Sequence, residues 1–121
     1  MKTPVLMFDD TSISRAVKYI SSGLDRELDF VFTMKTAETC LEDEKYGTLL
    51  VEPFQFYDTP DVLCDFLRHA KEKRKIQIIL YSTQKEELLR SHFGLQPEKH
   101  YDRYVSKIPP NSIERLKAVI C

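Results

Sequence analysis

The sequence predicts an α/β domain: a five-stranded parallel sheet with helices on both faces, formed by residues 1–121 as one unit. Three observations carry the prediction. Five short apolar runs recur along the chain, each of strand length. The segments between them carry apolar residues at helical spacing, so strand and helix alternate five times. Repeated strand–helix units build a parallel sheet, because right-handed crossovers place helices over both of its faces.

The elements follow in order. The first run is Val5–Phe8, and Ile13, Ala16, Val17, Ile20 and Leu24 after it share one helical face, with Thr11 or Ser12 as the cap. A second run at 30–32 precedes a weaker helix over 36–45, supported by Ala37, Cys40 and Leu41. The third run, 49–51, leads to Thr59-Pro60-Asp61, which supplies a cap, a first-turn proline and a first-turn acid for the helix of Leu63, Phe66, Leu67 and Ala70. The fourth run, 76–81, is followed by a second weak helix over 84–92 that rests on Leu88 and Leu89. The last run, 104–105, precedes the face made by Ile113, Leu116 and Ile120, capped by Asn111 or Ser112.

Composition narrows the class. A chain of 121 residues with 42% apolar and 31% charged residues and only 3 Gly is long enough to bury a core without disulfides or metals. A formal net charge of −1 provides no field to gather nucleic acid or acidic lipid. The one basic run, KEKRK at 71–75, reads as a solvated helix end, where cations complement the dipole and no aromatics are interleaved for base stacking. Cys40, Cys64 and Cys121 are odd in number and far apart, without zinc spacing, which predicts reduced thiols in a cytoplasmic protein. The opening MKTPVLMFDD turns acidic too early for a signal-peptide core, and no run approaches membrane-spanning length.

In parallel α/β sheets the site lies outside the carboxyl ends of the strands, at the switch point of strand order. The first strand ends in Asp9 and Asp10, the third in Glu52, the fourth in Ser82 and Thr83, and the fifth in Lys107. Singly, each suits a helix cap or an exposed strand end. Jointly they place acids, a hydroxyl and a lysine on one rim.

That joint pattern resembles the response-regulator receiver domain of two-component phosphorelay signalling, over essentially the whole chain. VLMFDDTSISRAVKYI is similar to that family's first strand, acidic pair and first helix; IILYST to its fourth strand ending in a hydroxyl; YVSK to its fifth strand, with an aromatic three residues before the lysine. The resemblance implies the (βα)5 receiver or flavodoxin-like fold, and Asp9 and Asp10 as an acidic pair that holds Mg²⁺, the one cofactor in view, with Glu52 as a third ligand. It implies Ser82 as the hydroxyl that reports phosphorylation, Lys107 as the cation at the phosphoryl group, and Tyr104 as an aromatic switch. The position of Tyr104 suits a rotating switch and a fixed strand residue equally. Such chemistry is coherent: a phosphoryl group moving onto a carboxylate needs its charge neutralised by a hard cation and a lysine.

One position departs. The family's third strand ends in the aspartate that accepts the phosphoryl group, and here it ends in Glu52. The extra methylene moves the carboxylate by more than ~1 Å, an error that can cost roughly 100-fold in a reacting pair. It carries the charge toward the phosphoryl position, within reach of Lys107 or Ser82. Pro53 removes a backbone donor directly after it. Where the family commonly has a proline and a glycine four and eight residues after the acceptor, this chain has Phe56 and Pro60; where the fifth strand normally ends Lys-Pro, Lys107 is followed by Ile108, Pro109 and Pro110. Asp58 and Asp61 read as structural residues at the start of the third helix.

Three function classes follow. The first is a pseudo-receiver: not an enzyme, but an atypical receiver acting by protein–protein contact without aspartyl phosphorylation at the usual site. Its partner face, carried over from the family, is the fourth helix, fifth strand and fifth helix, exposing parts of QKEELLRSHFGL, Tyr101, Tyr104 and the helix after Asn111. A histidine kinase as partner and a homodimer through that face are further implications of the resemblance. The second is an Mg²⁺-dependent phospho-accepting receiver using Glu52 or a nearby Asp. The third is a flavin or nucleotide binder, which would want glycines or hydroxyls where DDTSIS offers two acids. His69, His92 and His100 read as surface residues, and Cys64 as a packing residue.

Overall fold

The computed structural model describes residues 3–55 and 60–120. Its sheet has the order β2-β1-β3-β4-β5, with every neighbouring pair parallel. The strands are β1 (Val5–Phe8), β2 (Leu28–Val31), β3 (Thr48–Val51), β4 (Gln77–Ser82) and β5 (Arg103–Ser106). Between and after them run α1 (Val17–Leu24), α2 (Met34–Glu42), α3 (Pro60–Lys73), α4 (Glu86–Phe93) and α5 (Ser112–Ile120). The predicted five-stranded parallel sheet with helices on both faces is the observed fold.

Strand alternation divides the interior in two. Leu6 and Phe8 of β1 point to a core shared with α2, α3 and α4, where Phe8 meets Phe66 edge-on at 6.0 Å. Val5 and Met7 point to a second core with Ile20 and Leu24 of α1 and Leu116 of α5. Strands covered on both faces read as unbroken apolar runs, which is why β1, β3 and β4 were visible at once. In α1, Gly23 allows α5 to approach closely: a Cβ there would stand 2.6 Å from Cγ2 of Ile113.

The elements shift from their predicted bounds for identifiable reasons. The edge strand β2 starts at Leu28, and Phe32 lies beyond it, 51% exposed. Its Asp29 is no break, because the Tyr46 hydroxyl donates to it at 2.5 Å. The first helix opens as a 3₁₀ turn over Thr11–Ala16, capped by Asp10, which accepts from the Ser12 N–H, and not by Thr11 or Ser12. Thr33 caps α2 by accepting the Thr36 N–H, so α2 begins before 36. Gly94, at φ 73, ends α4. Asn111, at φ 70, accepts the Arg115 N–H at the start of α5. Thr59, the predicted cap of α3, lies outside the described residues, as do Asp58, Phe56 and Cys121.

Two surface expectations are corrected. His100 is buried, 4% exposed, because its Nδ1 accepts the Gln96 N–H and turns the ring inward. Tyr101 is 1% exposed and donates to Glu86 at 2.6 Å, so it is a core residue and not part of an open partner face. The basic run ends α3 as a solvated helix end, as expected, with Glu72, Lys73 and Lys75 exposed and Lys71 paired with Asp102. Cys64 is half-buried and donates to the Phe93 carbonyl, a packing role as expected. Among the described residues no helix is long and apolar enough to cross a membrane.

Candidate functional site

The backbone ladder continues one residue past the strands and so aligns their ends. The Asp9 N–H donates to Val31, the Glu52 N–H to Phe8, and the Lys107 N–H to Ser82. Asp9, Glu52, Ser82 and Lys107 therefore stand side by side at the carboxyl rim. Strand order reverses between β1 and β3, and this rim surrounds that switch point. A cleft of about 550 Å³ opens there, with Asp9, Asp10, Glu52, Gln84 and Lys107 among its walls.

Within the cleft the side chains bond to one another. The Lys107 ammonium lies 2.5 Å from Asp9 Oδ2 and 3.5 Å from Glu52 Oε1, and 5.5 Å from the centroid of the Tyr81 ring. Ser82 Oγ donates to Glu52 Oε1 at 3.0 Å, and the Phe54 N–H reaches Glu52 Oε2 at 3.4 Å. Asp9 Oδ1 accepts the Asp10 N–H at 2.6 Å. Ser82 is fully buried and Asp9 nearly so. The cluster thus holds two carboxylates around one ammonium, with little water to screen them.

Burial raises the Glu52 pKa above the ordinary glutamate range, against the opposing pull of Lys107 and the Ser82 hydrogen bond, and Asp9 adds to the rise. Desolvation outweighs pairing here, as it does for charges taken well out of water. The carboxylate is held, but at a cost in its ionised form.

The predicted residues divide. Asp9, Glu52, Ser82 and Lys107 come together. Asp10 sits at the rim, but its carboxylate turns to the Ser12 N–H and the Thr11 hydroxyl. Tyr104 is half-buried and donates to the Gln84 carbonyl at 2.5 Å, tying β5 to the loop after β4. Burial foremost raises its pKa. Gln84 in turn donates its N–H to Ser82 Oγ at 3.1 Å, so a chain of hydrogen bonds runs from Glu52 through Ser82 and Gln84 to Tyr104. Asp61 is exposed in the first turn of α3, outside the cleft.

Mg²⁺ takes a few carboxylates and keeps several waters. Asp9, Asp10 and Glu52 are the right donors, but as arranged their oxygens serve Lys107, Ser82 and backbone N–H groups. Among the described residues no group of three or more His, Cys, Asp or Glu is placed to hold a metal ion. The present arrangement does not fit the ion. Pro109–Pro110 carries a cis peptide bond, two residues beyond the family's Lys-Pro bond.

Sequence reasoning missed four members. Gln84 acts through backbone groups that any residue offers. Tyr81, one place before Ser82, flanks the ammonium through its ring. Phe54 follows Pro53 in a short 3₁₀ turn and stacks on His92 at 5.3 Å, and Gln55 donates to the Phe32 carbonyl at 2.8 Å. The aromatic residue directly after Glu-Pro was the available signal for the Phe54 contact with α4.

No family model matches the sequence, and no curated protein matches it. Solved structures do. A response regulator from Thermotoga maritima is 20% identical with a TM-score of 0.71, over 98% of each chain. An orphan response regulator of H. pylori is 23% identical with a TM-score of 0.68, over 98% of this chain and 92% of its own. An atypical orphan response regulator, described as revealing a phosphorylation-independent regulatory mechanism, is 20% identical with a TM-score of 0.64, over 97% of this chain and 91% of its own. At such identities the likeness establishes the fold: this chain has the flavodoxin-like receiver fold of response regulators.

Proposed function

We propose that this chain is a pseudo-receiver, a non-catalytic module of two-component signalling that works by protein–protein contact without phosphorylation at the end of β3. One observation supports the reading above all. The carboxylate of Glu52 already engages both groups that would contact a phosphoryl group carried at the end of β3, Ser82 at 3.0 Å and Lys107 at 3.5 Å. The added methylene delivers the carboxylate to them directly. The ammonium that would neutralise a transferred phosphoryl group is committed to Asp9 and Glu52.

The hydrogen-bond chain from Glu52 ends at Tyr104 of β5, the central strand of the α4–β5–α5 face that we assign to the partner. Leu88, 43% exposed on α4, and the half-buried Tyr104 supply apolar area there. A second copy of this chain or a histidine kinase would meet the same face.

Titrating Mg²⁺ and then beryllofluoride, a phosphoryl mimic, into the ¹⁵N-labelled chain tests the reading. The amide signals of Asp9, Glu52 and Ser82 are expected to stay in place. Saturable Mg²⁺-dependent shifts that spread to α4 and β5 would favour a phospho-accepting receiver instead.

A further inference from the structure

A second feature lies away from the rim. Helices α2 and α3 cover the same sheet face but leave a groove of about 470 Å³ between them. It continues into a smaller space of about 310 Å³, with which it shares Leu41, Lys73 and Arg74. The buried Leu41 and Phe66 floor it, and Met34 and Val62 form its sides. Val62 is 45% exposed, although it belongs to the helix face that borders this apolar groove.

The rims differ in charge. On α2, Glu38 and Glu42 stand one turn apart, both exposed; on the opposite side the cations are Lys73, at the end of α3, and Arg74 after it, with His69 one turn earlier and Asp65, already paired with Arg68, one turn before that. The two rims do not close on each other: no ion pair links Glu38 or Glu42 to His69, Lys73 or Arg74 among the described residues. The groove is thus an apolar trough with an acidic bank on α2 and a pair of cations at one end of the α3 bank, and among the described residues Glu38, Glu42, Lys73 and Arg74 stand in no ion pair. From Val62 to Arg74 it runs for about 18 Å at 1.5 Å per residue, enough to receive side chains at i, i+4 and i+7 of a facing helix.

We infer that this groove docks an amphipathic helix of a partner protein, one whose apolar stripe is flanked by basic residues toward Glu38 and Glu42 of α2 and by acidic residues toward Lys73 and Arg74 at the end of α3. The two flanks fix the direction in which the helix lies as well as its affinity. The acidic bank disfavours nucleic acid and anionic membrane, which would gather on basic residues alone. This surface is separate from the α4–β5–α5 face, so a second partner could be held at the same time.

The probe is a fluorescein-labelled helical peptide of about four turns with a leucine stripe, lysines on one flank and glutamates on the other. Anisotropy and ¹⁵N amide shifts of the full chain are the readouts. Saturable binding is expected, with shifts gathered at Glu38, Val62 and His69 and affinity weakened roughly fivefold or more by Val62→Asp and by Lys73→Glu, both at exposed positions. A scrambled-stripe peptide that binds equally, shifts confined to α4–β5–α5, or no saturable binding would each overturn the inference. Groove amides that move with protein concentration alone would assign the groove to a second copy and overturn it too.

Discussion

The hydroxyl of Ser82 donates to Oε1 of Glu52 across 3.0 Å, joining the end of β4 to the end of β3. Lys107 approaches the same oxygen at 3.5 Å while it holds Asp9 at 2.5 Å. Four strand ends, those of β1, β3, β4 and β5, are thereby fastened by side chains of the chain itself, in the place where a receiver fold would otherwise close around a phosphoryl group.

The ammonium is the keystone of that cluster. Lys107→Met leaves Asp9 and Glu52 as two buried carboxylates without a cation, and removing one partner of a buried pair costs roughly 3–5 kcal/mol. A urea melt at neutral pH is expected to show a loss of this order, with much of it recovered when Glu52→Gln is added. A loss below about 1 kcal/mol would mean that the cluster contributes no more than a surface pair.

Glu52 gives the stability a pH dependence whose sign follows from its raised pKa. Its folded-state pKa lies above the unfolded value, so its favourable contribution is complete below the unfolded pKa, about 4.3, and is lost as pH rises through the folded one. At neutral pH the ionised side chain is a liability. Glu52→Gln, which still accepts from Ser82, is expected to melt at or above the wild-type temperature at pH 7, with the difference shrinking toward pH 4. A difference that grows on acidification would contradict the burial argument.

His100 works in the opposite sense. Burial, then Lys99 and Arg68, lowers its pKa, and its Nδ1 must stay unprotonated to accept from Gln96. The stability that depends on the neutral ring is present above the unfolded pKa, about 6.5, and is lost as pH falls through the folded value. Replacing it by Asn is expected to flatten the Tm profile between about pH 7 and 5. An unchanged slope would show that the loop before β5 does not sense this proton.

Packing between α1 and α5 rests on a missing side chain. Gly23→Ala would set a methyl 2.6 Å from Ile113. Helix propensity favours the change by about 1 kcal/mol, while overpacking costs roughly 1–3 kcal/mol. A net loss of stability is expected, and Ile113→Val in the same chain should relieve part of it. A stabilised Gly23→Ala variant would show that α5 can step aside at no cost.

Much of this architecture is written in local signals. The alternation of apolar runs with helical stripes is periodic and needs no tertiary information, so the sheet and its helices were legible. Asp9, Glu52, Ser82 and Lys107 were legible because a parallel sheet brings strand ends together whatever their separation in sequence. Asp10 was placed correctly, but its orientation was not, since a cap that competes for the same carboxylate is decided by the local turn. Tyr101 and His100 were misjudged as surface groups because each is buried through one specific hydrogen bond, to Glu86 and from Gln96, that no periodicity announces. Gln84 acts through main-chain atoms and leaves no trace in residue type.

The central claim is that Glu52 takes the place of a phosphoryl switch. Intact mass after incubation with acetyl phosphate and Mg²⁺, beside an ordinary receiver as control, tests it most directly. The wild-type chain is expected to gain no phosphoryl adduct under conditions that label the control, and Glu52→Asp serves to ask whether shortening the side chain restores acceptance. A Mg²⁺-dependent adduct on the wild-type chain, mapped to Glu52, Asp58 or Asp61, would contradict the account.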